Sequence, residues 1–436
     1  MMAHSRKNIC FLAIIWVATL VSTRVCGEDW PGHRGLKRDG VSPEKGLAKT
    51  WPKNGPKLLW TLDKAGAGFG GPAVLGGYVF LMGTVGKEEV LHKFGPNGAL
   101  EWSSPIGPIY DFQGNNWSGG PNATPTVGKG MVFCAGSQGI VAAFDAESGK
   151  LVWKIDTVAK LGAEINPIGG GPAKKGWGFC GSPLLDEGKL IVATGGQGGL
   201  ITALSPASGN VLWRSVQVKD QATYGSTIVV DCLGMQVYVV ATQSGAVGVS
   251  AKDGALVWRY QRETEYPDIV ACTPVCVQGK ILLPVGHGGD CAMLGFEAGG
   301  PNGGVKVTPA WVAKEISNNH GGFVVQGERV IGFHAKRAWT AQNLSDGKVV
   351  WSGRRNAIGS GNAILVDDKL IALAEDTGDV ALIDGLGNSY KELGRFMLPK
   401  ESTIRKSGGR RWTHPVVSDG KLYIRDQELL YCYDLR

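Results

Sequence analysis

Four aromatic residues stand in polar connections, each just before a short apolar run: Trp117, Trp177, Tyr224 and Trp412. Connections of the same kind carry Asn116, Asn319, His320 and Arg411. Indole and phenol faces stack on flat or sugar-like ligands, and amide, imidazole and guanidinium groups bond the polar edge of such a ligand. Arg354, Arg355, Arg410 and Arg411 add cations able to hold an anionic group. Plainer readings compete. The aromatics can pack beneath their own loops or plug a channel, and loop arginines are ordinarily solvated surface charge. The first eight residues named here form the candidate ligand site.

Other chemistry finds less support. His287 and His320 lie far apart in the sequence without helical ligand spacing, so no metal site is expected. Gly195 to Gly199 joins two strand-like runs and opens no helix, unlike a phosphate loop. There is no CxxC pair and no nucleophile elbow, and no catalytic residue is identified.

The elements that must position these residues follow from composition and repeats. Of 436 residues, 67 are Gly and 21 are Pro, too many for a mostly helical chain. With 43% hydrophobic and 19% charged residues, disorder is excluded as well. Three cations, Arg6, Lys7 and Arg24, lie in the first 27 residues, and the rest of the chain is nearly balanced in charge. Charge therefore makes no case for nucleic acid as a partner.

The basic start, the apolar run from Ile9 to Val21 and the small-residue stretch ending at Gly27 read as a signal peptide, residues 1–27. Export to the periplasm or beyond is expected. A lipoprotein reading centred on Cys26 is weakened by Val25, which stands where a small residue is required. No later run reaches membrane length, so no transmembrane span is expected in the mature chain. Nine Cys become seven after cleavage, and most sit singly among apolar neighbours, as buried free thiols do. Cys272 and Cys276 on one strand would lie about 13 Å apart, too far to bridge.

A repeat organises the rest. Gly98, Gly149, Gly209, Gly254 and Gly347 each stand four positions before Trp102, Trp153, Trp213, Trp258 and Trp351. A polar residue then Gly makes a tight turn between two period-2 runs, and the Trp on the exit strand fills space between sheets. Upstream, another strand pair opens at Gly71, Thr124, Gly181, Ser226, Thr273, Gly321, Gly361 and His414. Each unit is a four-stranded antiparallel meander, A to D, and eight openings predict an eight-bladed all-β propeller. Trp60 and Trp311 mark two further D strands. The seventh blade lacks its Trp, and its D strand is expected near Leu393 to Leu398. After His414 only three strands fit, so Lys57-Leu58-Leu59-Trp60 should complete the last blade and close the ring. Residues 28–56 are then a lead-in, and 57–436 one propeller. The D–A connections and B–C turns share one face, which carries the candidate site together with Gln138, Gln197, Gln243, His287, Asp290, Lys336, Arg337, Glu375 and Asp376.

The frame at 143–153, Ala-x-Asp-x-x-Ser-Gly-x-x-x-Trp, resembles the PQQ-like (quinoprotein-type) β-propeller repeat over roughly residues 57–436. The stretch from Asp29 to Ser42 is similar to the lead-in of secreted bacterial PQQ-like proteins likened to the outer-membrane assembly factor BamB. The resemblance implies an eight-bladed propeller and leaves activity open. Quinoprotein alcohol dehydrogenases of this fold carry vicinal Cys residues over PQQ and hold calcium through Glu, Asn and Asp. This chain has no Cys-Cys pair, so no cofactor is expected, with PQQ and calcium kept as the alternative. The leading expectation is a monomeric, non-catalytic module that binds a protein or small ligand on the D–A face. The alternative is a PQQ- or metal-dependent oxidoreductase.

Overall fold

A computed structural model describes residues 29–110, 117, 119–169, 176–262, 269–284, 290–300, 304–316, 320–334, 336–353 and 356–436. The expected signal peptide, Asn116, Asn319, His287, Arg354 and Arg355 lie outside the described residues.

The strands assemble into eight sheets arranged as an eight-bladed propeller. Blade 1 is Ala73–Leu75, Tyr78–Val85, Glu88–Phe94 and Leu100–Pro108. Later blades begin at Thr126, Leu184, Ile228, Val275, Val324, Gly361 and Val416. Every opening read from the sequence falls at or just before an inner strand. The seventh D strand is Glu392–Met397, one residue from its expected start. Closure is also as expected. Lys57–Leu62 pairs antiparallel with Leu429–Asp434, with Leu58 opposite Tyr433 and Trp60 opposite Cys432.

Burial follows position in the blade. The inner strand Gly361–Val366 is buried at every residue, because neighbouring blades cover both of its faces. The outer strand Leu151–Asp156 is buried at none, since it faces solvent. The apolar core therefore lies between blades: Phe80, Met82 and Leu91 of blade 1 pack with Val132, Cys134 and Phe144 of blade 2. The frame Trp residues extend these seams. Trp102 sits over Gly149 of the next blade, Trp153 over Gly209, and Trp311 over Gly347. The indoles of Trp102 and Trp153 donate to the Glu147 and Pro206 carbonyls at 2.9 and 2.7 Å. All seven described cysteines are free.

The lead-in has a role the sequence reading did not assign. Residues 29–44 thread the centre of the ring. Trp30 exchanges two 2.8 Å backbone hydrogen bonds with Val74 of blade 1, and Val127 N of blade 2 donates to the Pro31 carbonyl. Arg38 donates to the Ser182 and Pro183 carbonyls of blade 3 and to the Thr227 carbonyl of blade 4. His33 meets Thr273 of blade 5, and Arg34 bonds the Gly321 and Phe323 carbonyls of blade 6. Val41–Ser42 runs parallel to the inner strand of blade 7 as a fifth strand, and Glu44 accepts from Gly420 N of blade 8 at 2.6 Å. One short segment thus ties all eight blades at the axis.

Candidate functional site

The inner strands start on the D–A face, and there the blades are stapled by hydroxyls. Gly71 N donates to Thr124 Oγ1 at 3.0 Å, Thr124 N to Ser182 Oγ at 2.9 Å, Ser182 N to Ser226 Oγ at 3.0 Å, and Ser226 N to Thr273 Oγ1 at 3.1 Å. Each bond joins one blade to the next. A buried backbone N–H at this ring needs an acceptor, and a short Ser or Thr side chain reaches one without filling the channel.

Above this ring lies a cavity of about 340 Å³. Five of the eight candidate residues line it: Trp117, Trp177, Tyr224, His320 and Trp412. Trp117 and Trp177 meet edge to face, with ring centroids 5.1 Å apart. His320 stacks on Trp412 at 4.7 Å, and Phe69 meets Trp412 at 5.1 Å. Tyr224 is buried. Its hydroxyl donates to the Asn166 carbonyl at 3.0 Å and accepts from Trp177 N at 3.3 Å, which fixes the segment presenting Trp177. Asn122 Nδ2 donates to the Trp177 carbonyl at 3.0 Å from the other side. Trp412 is held through its carbonyl, which accepts from Asn362 Nδ2.

Arg411 is placed elsewhere. It is 2% exposed, pairs with Asp426 (Nε to Oδ2, 3.1 Å) and Glu401 (3.3 Å), and donates to the Asp376 carbonyl. It braces the turn of blade 8 and does not line the cavity, because the buried Asp426 carboxylate and the exposed Glu401 carboxylate take its charge. Arg410 turns outward and pairs with Asp376.

The floor comes from the threaded segment, through Trp30, Gly32, His33 and Arg34. Sequence reasoning missed these residues, and Phe69 with them. Thr124, Ser182 and Ser226 had a signal, a small residue before each inner strand, but it reads as turn chemistry. His33 and His414 meet ring to ring at 5.6 Å. Burial, with His414, Arg38 and Arg34 close by, holds the His33 imidazole well below its ordinary range. Burial and Arg34 push His414 down to about 3. Both are neutral at neutral pH, and Arg34 brings a positive charge to the lining. No Asp or Glu lines the cavity among the described residues, and nowhere among them do three His, Cys, Asp or Glu gather as a metal site.

Comparison with known proteins gives a consistent outcome. Residues 46–165 and 86–353 match the family model described as outer membrane protein assembly factor BamB. A curated protein of that name from Shewanella oneidensis is 30% identical over 165 residues, 38% of this chain and 37% of that protein, so the match spans little more than a third of its length. One from Moranella endobia is 25% identical over 377 residues, 80% of this chain and 89% of that one. Among solved structures, BamB from Moraxella catarrhalis shares 15% identity over 87% of this chain and 99% of that one, with a TM-score of 0.59. The quinohemoprotein alcohol dehydrogenase of Comamonas testosteroni shares 14% over 93% and 80%, with a TM-score of 0.63. At these identities the two structures are alike in fold.

Proposed function

Since the chain belongs to the family described as outer membrane protein assembly factor BamB, we propose that it is an exported, monomeric propeller that binds a protein partner on its D–A face. The family match, which runs through the first six blades, carries this reading. The D–A face supports it, because aromatic side chains held by fixed hydrogen bonds are the usual anchors of protein interfaces. The signal-peptide pattern of residues 1–27 supports export. No described helix is long and apolar enough to cross a membrane.

The oxidoreductase reading has the shared fold behind it and little else. Calcium takes six to eight oxygen ligands, usually including carboxylates. The described lining offers none, and the chain has no vicinal Cys pair. These residues do not fit PQQ with calcium.

Affinity capture from envelope extracts tests the scaffold reading. The mature chain should retain a discrete protein that the Trp117→Ala, Trp412→Ala double variant loses. Equal capture by both chains, or none by either, overturns it. Dye-linked oxidation of alcohols or sugars by the chain with PQQ and Ca²⁺ would overturn it as well.

A further inference from the structure

The cavity on the D–A face has a chemical bias that a protein-docking surface does not require. Its walls are aromatic: Trp117, Trp177, Trp412 and Phe69, with His320 stacked on Trp412. Its polar lining includes three hydroxyls free to donate. Thr124, Ser182 and Ser226 line it at 4%, 5% and 2% exposure. Each hydroxyl accepts a backbone N–H, and none donates to an acceptor among the described residues. A buried O–H without an acceptor is costly, so a ligand supplying one is favoured. Arg34 also lines the cavity, from the side of blade 6, where it is 3% exposed and its Nε has no hydrogen-bond partner. Its other nitrogens bond only backbone carbonyls, and the neighbouring Asp39 carboxylate accepts from Val41 N at 3.0 Å.

We propose that this cavity binds a small aromatic carboxylate, with its ring against Trp117, Trp177 and Trp412 and its carboxylate over the hydroxyls of Thr124, Ser182 and Ser226, drawn by the positive charge that Arg34 brings to the same lining. A flat apolar ring suits walls that offer faces and edges of indole. A carboxylate accepts only, and so matches hydroxyls that are free to donate. The volume lies near the lower end of the range for small-molecule sites, about 300–1,000 Å³. The proposal rests on the D–A face being the binding face, and adds a ligand to it.

Indole-3-acetate and benzoate, titrated into the mature chain by tryptophan fluorescence and calorimetry, provide the test. Both should saturate, and indole-3-acetamide and benzamide should bind at least about tenfold more weakly. Trp117→Ala should weaken indole-3-acetate about tenfold or more with an unchanged melting temperature. Arg34→Gln should remove the preference for acid over amide. If that variant fails to fold, Trp117→Ala and the acid–amide pairs still decide. No saturation by either acid, equal binding of acid and amide, or saturation by glucuronate without the aromatic acids overturns the proposal. Partner capture is scored separately. Capture without acid binding overturns only the ligand, and acid binding without capture overturns only the scaffold.

Discussion

The indole of Trp60 lies over Gly98, and its Nε1 donates to the Pro96 carbonyl at 2.9 Å. Trp60 is on the strand that completes the eighth blade, and Gly98 is in the C–D turn of the first. The closing strand is therefore clamped to the blade that follows it by the same pairing that joins Trp102 to Gly149. At the preceding seam the pair is varied: Phe396 of blade 7 packs on Gly55, just before the closing strand. Gly serves at these turns because φ is positive and the indole lies where a side chain would stand.

Gly149→Ala should destabilise the ring more than Gly76→Ala. Gly149 has φ +71°, and a Cβ there would fall 2.6 Å from the Trp102 ring. Gly76 has φ +58° with open space around it. Both variants incur the left-handed backbone cost of about 1–2 kcal/mol. Only Gly149→Ala must also move an indole. Urea midpoints of the two variants should differ clearly, and equal midpoints would mean that the Trp–Gly seam carries no stability.

Deleting residues 28–62 should cause aggregation or a large fall in thermal stability. The deletion uncovers the edge of Leu429–Asp434 and removes the segment that ties the blades at the axis. Light scattering and calorimetry check this. A truncated chain as stable as the parent would show that the ring closes without the N-terminal strand.

Arg38→Met should cost at least about 2 kcal/mol. Arg38 is 4% exposed and bonds carbonyls of two blades, and those of Ser182, Pro183 and Thr227 would face a thioether. Arg38→Lys should recover part of the loss, because an ammonium lacks the planar fork that reaches both blades. Equilibrium unfolding of the three chains gives the ranking.

Acid should destabilise the fold below about pH 6.5. Burial holds His92 down to about 4 and His414 to about 3, with His33 also well below its ordinary range. Their folded values lie below the unfolded value, so the unfolded chain binds more protons and stability falls as pH drops from 6.5 toward 3. Glu89 acts in the opposite sense. Burial raises its carboxyl to about 7, so its penalty appears as pH rises from 4.5 through 7. Glu89→Gln should therefore steepen the acid loss, by on the order of 2–3 kcal/mol between pH 8 and pH 4. Denaturation midpoints across this range should show the steeper slope in the variant.

The sequence alone determined the ring. The Gly-x3-Trp frame, the eight openings and the three strands left after His414 specify blades, their number and the closing strand, because these are local patterns repeated at fixed spacing. It also picked out Trp117, Trp177, Tyr224, His320 and Trp412, which the structure gathers around one cavity. Only the tertiary structure decided the rest. Arg411 is equally polar in sequence and adjoins Trp412, but Asp426 and Glu401 capture its guanidinium and keep it off the lining. Arg34 and Arg38 carried no assignment in the sequence beyond belonging to the lead-in, but they are buried because the segment enters the axis and bonds carbonyls from several blades. Those carbonyls lie at the starts of inner strands, up to 289 residues along the chain from the arginines that they bind. No local pattern encodes such a meeting, and ring closure alone brings those strands around one point.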